Sequence, residues 1–168
     1  MSKTYDIRRL TFLVVDDNSH MRTIMRTLLR GYGATQVYDA ADAETAFVEL
    51  RTQPIDIVIL DYALGTLDGV EFTRLVRTAP DSPNPYVPII MASAHSERKR
   101  ITQARNAGVT EFLCKPICAR DLYLRIVECI ERPRPFIRTA TFFGPDRRRR
   151  KSDAYKGPDR RVAEQHAL

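Results

Sequence analysis

The chain has 168 residues, 43% of them hydrophobic and 29% charged, and a formal net charge of +6. That is enough for one folded unit with some extra chain, and no stretch approaches the roughly 20 apolar residues that span a bilayer. The charge is uneven: eleven Lys/Arg and four Asp/Glu lie from Arg132 onward, against sixteen and seventeen before it. A near-neutral domain over residues 1–131 is therefore expected to precede a basic tail over 132–168.

Met1 to Asp6 lack the apolar core of a signal peptide, which favours a cytoplasmic protein with no membrane partner. Strand one is expected over Leu10 to Val15, an apolar run that ends in Asp16-Asp17. Asn18 or Ser19 then suits a helix cap, ahead of a helix from about His20 to Arg30 whose Met21, Ile24, Met25, Leu28 and Leu29 recur at helical spacing. Gly31-Tyr32-Gly33 stops it. Gln36-Val37-Tyr38 forms a short second strand, and Asp42 caps a helix over about Ala43 to Arg51, with Ala46, Phe47 and Leu50 inward.

The most telling run is Ile55-Asp56-Ile57-Val58-Ile59-Leu60-Asp61. Short and almost wholly apolar, it suits a central strand buried on both faces. The loop Tyr62 to Gly69 leads to a third helix over about Gly69 to Arg77, and Pro80 to Pro85 is another loop. Strand four covers Val87 to Ala92 and ends at Ser93. Ser96 is expected to cap helix four, about Glu97 to Ala107, which Gly108 ends. Strand five lies within Val109 to Cys114 and leads into Lys115-Pro116. Helix five covers about Ala119 to Glu131, and Pro133 and Pro135 close it.

Five strand–helix alternations argue for a doubly wound α/β fold, a five-stranded parallel sheet with helices on both faces. Ligand crevices in such sheets lie outside the carboxyl ends of the strands. There the sequence delivers Asp16, Asp17, Asp61, Ser93 and Lys115. Three carboxylates at one edge repel one another and call for a cation, and hard oxygen donors suit Mg2+. Acids, Mg2+, an ammonium and a hydroxyl make a site for a phosphoryl group, with Asp61 as acceptor through a carboxylate oxygen. No P-loop or dinucleotide fingerprint is present. Cys114, Cys118 and Cys129 lack metal-type spacing and are expected as buried or half-buried free thiols. His20, His95 and His166 are scattered.

In order and spacing, Asp16-Asp17, Asp61, Asp68-Gly69, Ser93-Ala94 and Lys115-Pro116 resemble the receiver domain of bacterial two-component response regulators, of the single-domain chemotaxis type. The resemblance covers roughly residues 8–131. It implies the flavodoxin-like strand order 2-1-3-4-5, and phosphotransfer to Asp61 from a histidine kinase or a phosphotransfer protein. It also implies Mg2+ held by Asp16 or Asp17, Asp61 and the backbone carbonyl of Ala63. Ser93 would move onto the phosphoryl group and Phe112 would turn inward, remodelling the face of helix four, strand five and helix five. The product is a switchable interaction module, not a turnover enzyme, with homodimer formation through that face or through the tail. Two departures from the family pattern are Gly65, where a Pro is usual, and Phe112, which lacks the hydroxyl of the common Tyr. A phosphohydrolase built on the same acids usually carries a second Asp two residues after the nucleophile, where this chain has Ala63. Arg98-Lys99-Arg100 suits a solvated face, though one where receiver domains pair.

The tail offers no separate output domain, but it contains a repeat. Phe143-Gly144-Pro145-Asp146-Arg147-Arg148 recurs thirteen positions on as Lys156-Gly157-Pro158-Asp159-Arg160-Arg161. Three uses compete with a plain disordered polybasic extension. The tail could dock on its own or a neighbouring receiver through Phe136, Ile137, Phe142 and Phe143. It could bind an acidic protein surface. Or Arg147 to Lys151 could grip nucleic-acid phosphates, a use that the acids inside each repeat count against.

Overall fold

The computed structural model describes residues 5–148 and 162–164. Arg149 to Lys151, Tyr155, the second copy of the repeat and His166 lie outside them. Five parallel strands form the sheet: β1 (Thr11–Val15), β2 (Gln36–Ala40), β3 (Ile57–Asp61), β4 (Ile89–Ser93) and β5 (Glu111–Cys114), in the order β2-β1-β3-β4-β5. β1, β3 and β4 are buried at every position, whereas the edge strand β2 is mostly half-exposed. Apolar side chains alternate faces, as the two-residue period of a strand requires. Phe12, Val14, Ile57 and Ile59 join one core with Met25, Leu29, Leu122 and Ile126, from α1 (Ser19–Gly31) and α5 (Ala119–Glu131). Leu13, Val15, Val58 and Leu60 join the other, with Ala46 and Leu50 of α2 (Ala43–Thr52), Phe72 and Val76 of α3 (Gly69–Thr78), and Ala104 of α4 (Arg98–Ala107).

Helix starts follow from local chemistry. Asn18, not Ser19, caps α1, its side chain accepting from the His20 and Met21 N–H groups at 2.9 and 3.2 Å. Asp42 caps α2. Asp68 and Glu71 form a reciprocal capping box at α3. Ser96 does not cap α4. That helix begins after Glu97, with no side-chain cap hydrogen bond, because the chain becomes helical one residue later than the Ser requires. The β3 run is also shorter than its apolar stretch, since Asp56 is turned aside: its carboxylate accepts from the Thr11 N–H at 2.8 Å. Cys114 and Cys118 are exposed, against expectation, and Cys129 alone is buried. Cys114 lies past the covered part of β5, and the Cys118 Sγ caps α5 by accepting from the Asp121 N–H at 3.4 Å. Among the described residues, no helix is long and apolar enough to cross a membrane.

The tail folds back on the domain that precedes it. β6 (Phe136–Arg138) pairs antiparallel with β7 (Phe143–Pro145) and β8 (Val162–Glu164). Ile137 and Phe143 are buried, while Phe136 and Phe142 are half-buried. Phe143 packs edge-on to Tyr86 with ring centroids 5.3 Å apart, and Phe136 lies 5.1 Å from the same ring. Beneath Phe136 sits Arg77, only 3% exposed. Its guanidinium donates to the carbonyls of Gly108, Pro85 and Val87 at 2.8–3.0 Å, and burial pushes its pKa down to about 9. Buried Glu111 of β5 accepts from Arg134 at 3.1 Å, tying the sheet edge to the start of the tail.

Candidate functional site at the carboxyl edge of the sheet

The central strands stop together, and the polar residues at their carboxyl ends converge on one place. Asp16 comes directly after β1, and its N–H donates to the Ala40 carbonyl at 3.1 Å. Arg22 donates to the carbonyls of Asp16 and Asp17 at 2.8 and 3.3 Å, which holds the turn into α1. Asp61 is the last residue of β3, and the next N–H, of Tyr62, donates to the Ala92 carbonyl at 2.8 Å. Lys115 comes directly after β5, its N–H donating to the Ser93 carbonyl at 2.8 Å. The sequence leaves this edge polar because each apolar run ends one strand length after it begins.

The resulting distances are short. Lys115 Nζ lies 2.7 Å from Asp61 Oδ1 and 3.5 Å from Asp16 Oδ2. One carboxylate oxygen from each of Asp16, Asp17 and Asp61 falls within 4.8 Å of the others. Asp16 is 4% exposed and Asp61 9%, whereas Asp17 is open to solvent. Burial, above all, raises the Asp16 pKa; the Asn18 N–H opposes this and the neighbouring Asp61 charge adds to it. Burial also works against the Lys115 ammonium, but hydrogen bonds and attraction from Asp61 and Asp16 outweigh it and leave the pKa raised. Three carboxylates face one ammonium, so negative charge is in excess. Hard oxygen donors in excess, close together and only partly neutralised, fit a divalent cation such as Mg2+.

The other expected residues stand around this cluster. Ser93 is 2% exposed, and its Oγ accepts from the His95 N–H at 3.1 Å. Ala63 is exposed in the loop after β3, and Phe112 is half-buried against the core on the α4 side. The side chains of His20 and His95 are exposed. Gly65 has φ +75°, whereas a Pro ring fixes φ near −65°. At this position the loop therefore takes a path that the family's usual Pro could not follow.

The sequence reading missed how Asp68-Gly69 supports the site, although the Asp-x-x-Glu capping signal was present. The Gly69 N–H donates to the Tyr62 carbonyl at 2.7 Å, and a Cβ at Gly69 would lie 2.5 Å from the Asp61 carbonyl oxygen. Gly69→Ala must push the end of β3 aside. It is expected to cost about 1–3 kcal/mol, the range for overpacking, seen as a lower urea midpoint with an unchanged slope.

The family model for the response regulator receiver domain matches residues 12–127. The chain is 33% identical over 123 residues to chemotaxis protein CheY of Pseudomonas aeruginosa, covering 73% of this chain and 98% of that protein. It is 30% identical over 125 residues to chemotaxis protein CheY-3 of Vibrio cholerae, covering 74% and 95%. A putative response regulator from Chloroflexus aurantiacus superposes with a TM-score of 0.67 at 28% identity, over 73% of this chain and 98% of that one.

Proposed function

Since the chain belongs to the response regulator receiver domain family, we propose that it accepts a phosphoryl group on Asp61 from a histidine kinase or phosphotransfer protein. The observation that carries this reading is the 2.7 Å contact between Lys115 Nζ and Asp61 Oδ1, beside two further acids. A free carboxylate oxygen of Asp61 attacks phosphorus, the P–N bond to the donor histidine breaks, and the imidazole leaves with the electron pair. Lys115 holds Asp61 in place and offers its charge to the incoming phosphoryl oxygens. Asp16, Asp17, Asp61 and the Ala63 carbonyl would hold Mg2+, which when bound supplies positive charge against those same oxygens.

Readout starts from the same edge. The Ser93 Oγ turns from the His95 N–H towards the phosphoryl group, and Phe112 takes the space this opens. The face of α4, β5 and α5 then shifts between two populations biased by one covalent charge. Residues 1–131 make up the switch and 132–168 an accessory tail. The direct test is incubation with Mg2+ and a small phosphodonor, followed by mass mapping, which should place the modification on Asp61. A modification mapped to another residue overturns the reading.

The cation is tested separately. Mg2+ in hundredfold excess over its dissociation constant adds about 2.7 kcal/mol of stability by mass action. For a domain of this size that is roughly 5–10 °C in Tm. Asp16→Asn removes a carboxylate whose charge burial, above all, disfavours, so the metal-free Tm should rise while the Mg2+ increment disappears. An increment that survives in Asp16→Asn places the cation elsewhere.

A further inference from the structure

A charged pair outside the acid cluster holds the turn that carries two of its acids. Arg22 is the fourth residue of α1, in a first turn that has no acid. A cation there opposes the helix dipole, so the position needs compensating contacts. The guanidinium makes three. Its Nη1 donates to the carbonyls of Asp16 and Asp17 at 2.8 and 3.3 Å, and its Nε donates to Asp39 Oδ2 at 2.9 Å. Asp39 lies on the edge strand β2, and Arg26 braces its other oxygen. The Arg22 side chain is 18% exposed and that of Asp39 31%, so water competes only weakly for the pair.

What this fork fixes is the backbone of the two residues whose carboxylates face Asp61. Rotation of either peptide at the turn would swing the attached carboxylate away from the cluster. Asp16 has further ties: its N–H donates to the Ala40 carbonyl at 3.1 Å, and its Oδ1 accepts from the Asn18 N–H at 2.9 Å. Asp17 is exposed. An exposed carboxylate has little packing to aim it, so the hold on its own carbonyl counts for more. The planar guanidinium can span two carbonyls and a carboxylate at once; an ammonium is a point charge without that fork.

We propose that Arg22, aimed by Asp39, is a positioning residue for the cation site and raises its Mg2+ affinity by holding Asp16 and Asp17 in place. The proposal rests on the reading of Asp16, Asp17 and Asp61 as cation ligands, and adds a residue that touches neither the cation nor the phosphoryl group. Its expected effect is opposite in sign to that of charge alone. Arg22 is itself a cation, so by Coulomb repulsion its removal would tighten Mg2+ binding. Acting through geometry, its removal weakens binding.

Isothermal titration calorimetry of the full chain with Mg2+ reads the difference. Arg22→Met should raise the dissociation constant about tenfold or more, as loss of a group that orients metal ligands does. Arg22→Lys keeps the charge without the fork and should not rescue it. Arg26→Met removes the same charge but leaves Arg22 on both carbonyls and on Asp39, and should bind at the parent level or tighter. Asp39→Asn should weaken binding severalfold alone and add nothing to Arg22→Met, since the two act as one unit. Without Mg2+, the Asn18 amide should exchange faster in Arg22→Met while the amides of β3 stay slow. Labelling by a small phosphodonor at rising Mg2+ should show the half-saturation point displaced by the same factor and the plateau kept, whereas a merely unfolded fraction lowers the plateau. Mg2+ affinity that is unchanged or tighter in Arg22→Met, or restored by Arg22→Lys, overturns the proposal, as does a parent chain that binds no Mg2+. A parent that binds Mg2+ with these variant effects but takes no label on Asp61 upholds the positioning role and sinks only the acceptor reading.

Discussion

Asp61→Asn is expected to reduce phosphoryl incorporation from a small donor to background while leaving the fold intact. The amide keeps the shape of the carboxylate, so the end of β3 and its hydrogen bond to Ala92 persist. What it loses is the charged oxygen nucleophile and the partner of Lys115 Nζ at 2.7 Å. Asn also lowers the negative charge at this edge by one, so the protein should be as stable as the parent or more so when no cation is present. Lys115→Ala should behave differently: Asp61 keeps its oxygens but loses its nearest positive charge, so labelling should be slowed rather than absent. Parallel labelling with radioactive donor, with melting curves as the control, separates the two. Full labelling of Asp61→Asn at its parent level would show that another residue is the acceptor.

Phe143→Ala is expected to release the tail without unfolding the sheet. Phe143 is 4% exposed and touches Tyr86, Phe136 and the Arg138 guanidinium. Truncating a buried Phe costs about 3–5 kcal/mol in a core. Here the loss is capped by the free energy of docking, because once the tail lifts away there is nothing further to lose. Amides of residues 136–145 should lose hydrogen-exchange protection and trypsin should cut readily after Arg138, whereas Arg132 and Arg134 precede prolines and resist it. Amides of β1, β3 and β4 should exchange as slowly as before. The variant also uncovers Arg77, whose pKa should return towards its ordinary value as water replaces Phe136. If protection falls equally in β1 and β3, tail and sheet are one cooperative unit. If residues 136–145 stay protected, Phe143 is not the anchor.

The sheet was legible because its signals are local. Four apolar runs of strand length and the short segment Gln36-Val37-Tyr38, each leading into helical spacing, leave a doubly wound parallel fold as the simplest arrangement. Asp61 at the end of the most buried run was legible for the same reason. Ser96 as a cap was not, since a Ser before a helix caps only if the backbone turns helical at the right residue. The exposure of Cys114 and Cys118 was equally hidden: a thiol beside an apolar run says nothing about whether its own position is covered. The tail was the largest gap. Its aromatic residues suggested docking, but the receptor for them could not be found from composition. That receptor is made of Arg77 from α3, Tyr86 from the Pro-rich loop and Glu111 from β5, three residues with no sequence feature in common.

By itself, then, the order of residues determined the elements, their alternation, and which polar side chains emerge at the carboxyl ends of the strands. Hydrophobic periodicity and strand length are properties of neighbouring residues, and neighbours are what a sequence shows. Only the tertiary structure decided that Asp16 and Asp61 come within ion-pairing reach of Lys115, with an Asp17 carboxylate oxygen within 4.8 Å of theirs. It also decided that residues 136–145 pack on the domain that precedes them, and that Arg22 meets Asp39. Those facts depend on distances between residues far apart in the chain. Such distances are set by how two cores close on one sheet, not by any stretch of chain read alone.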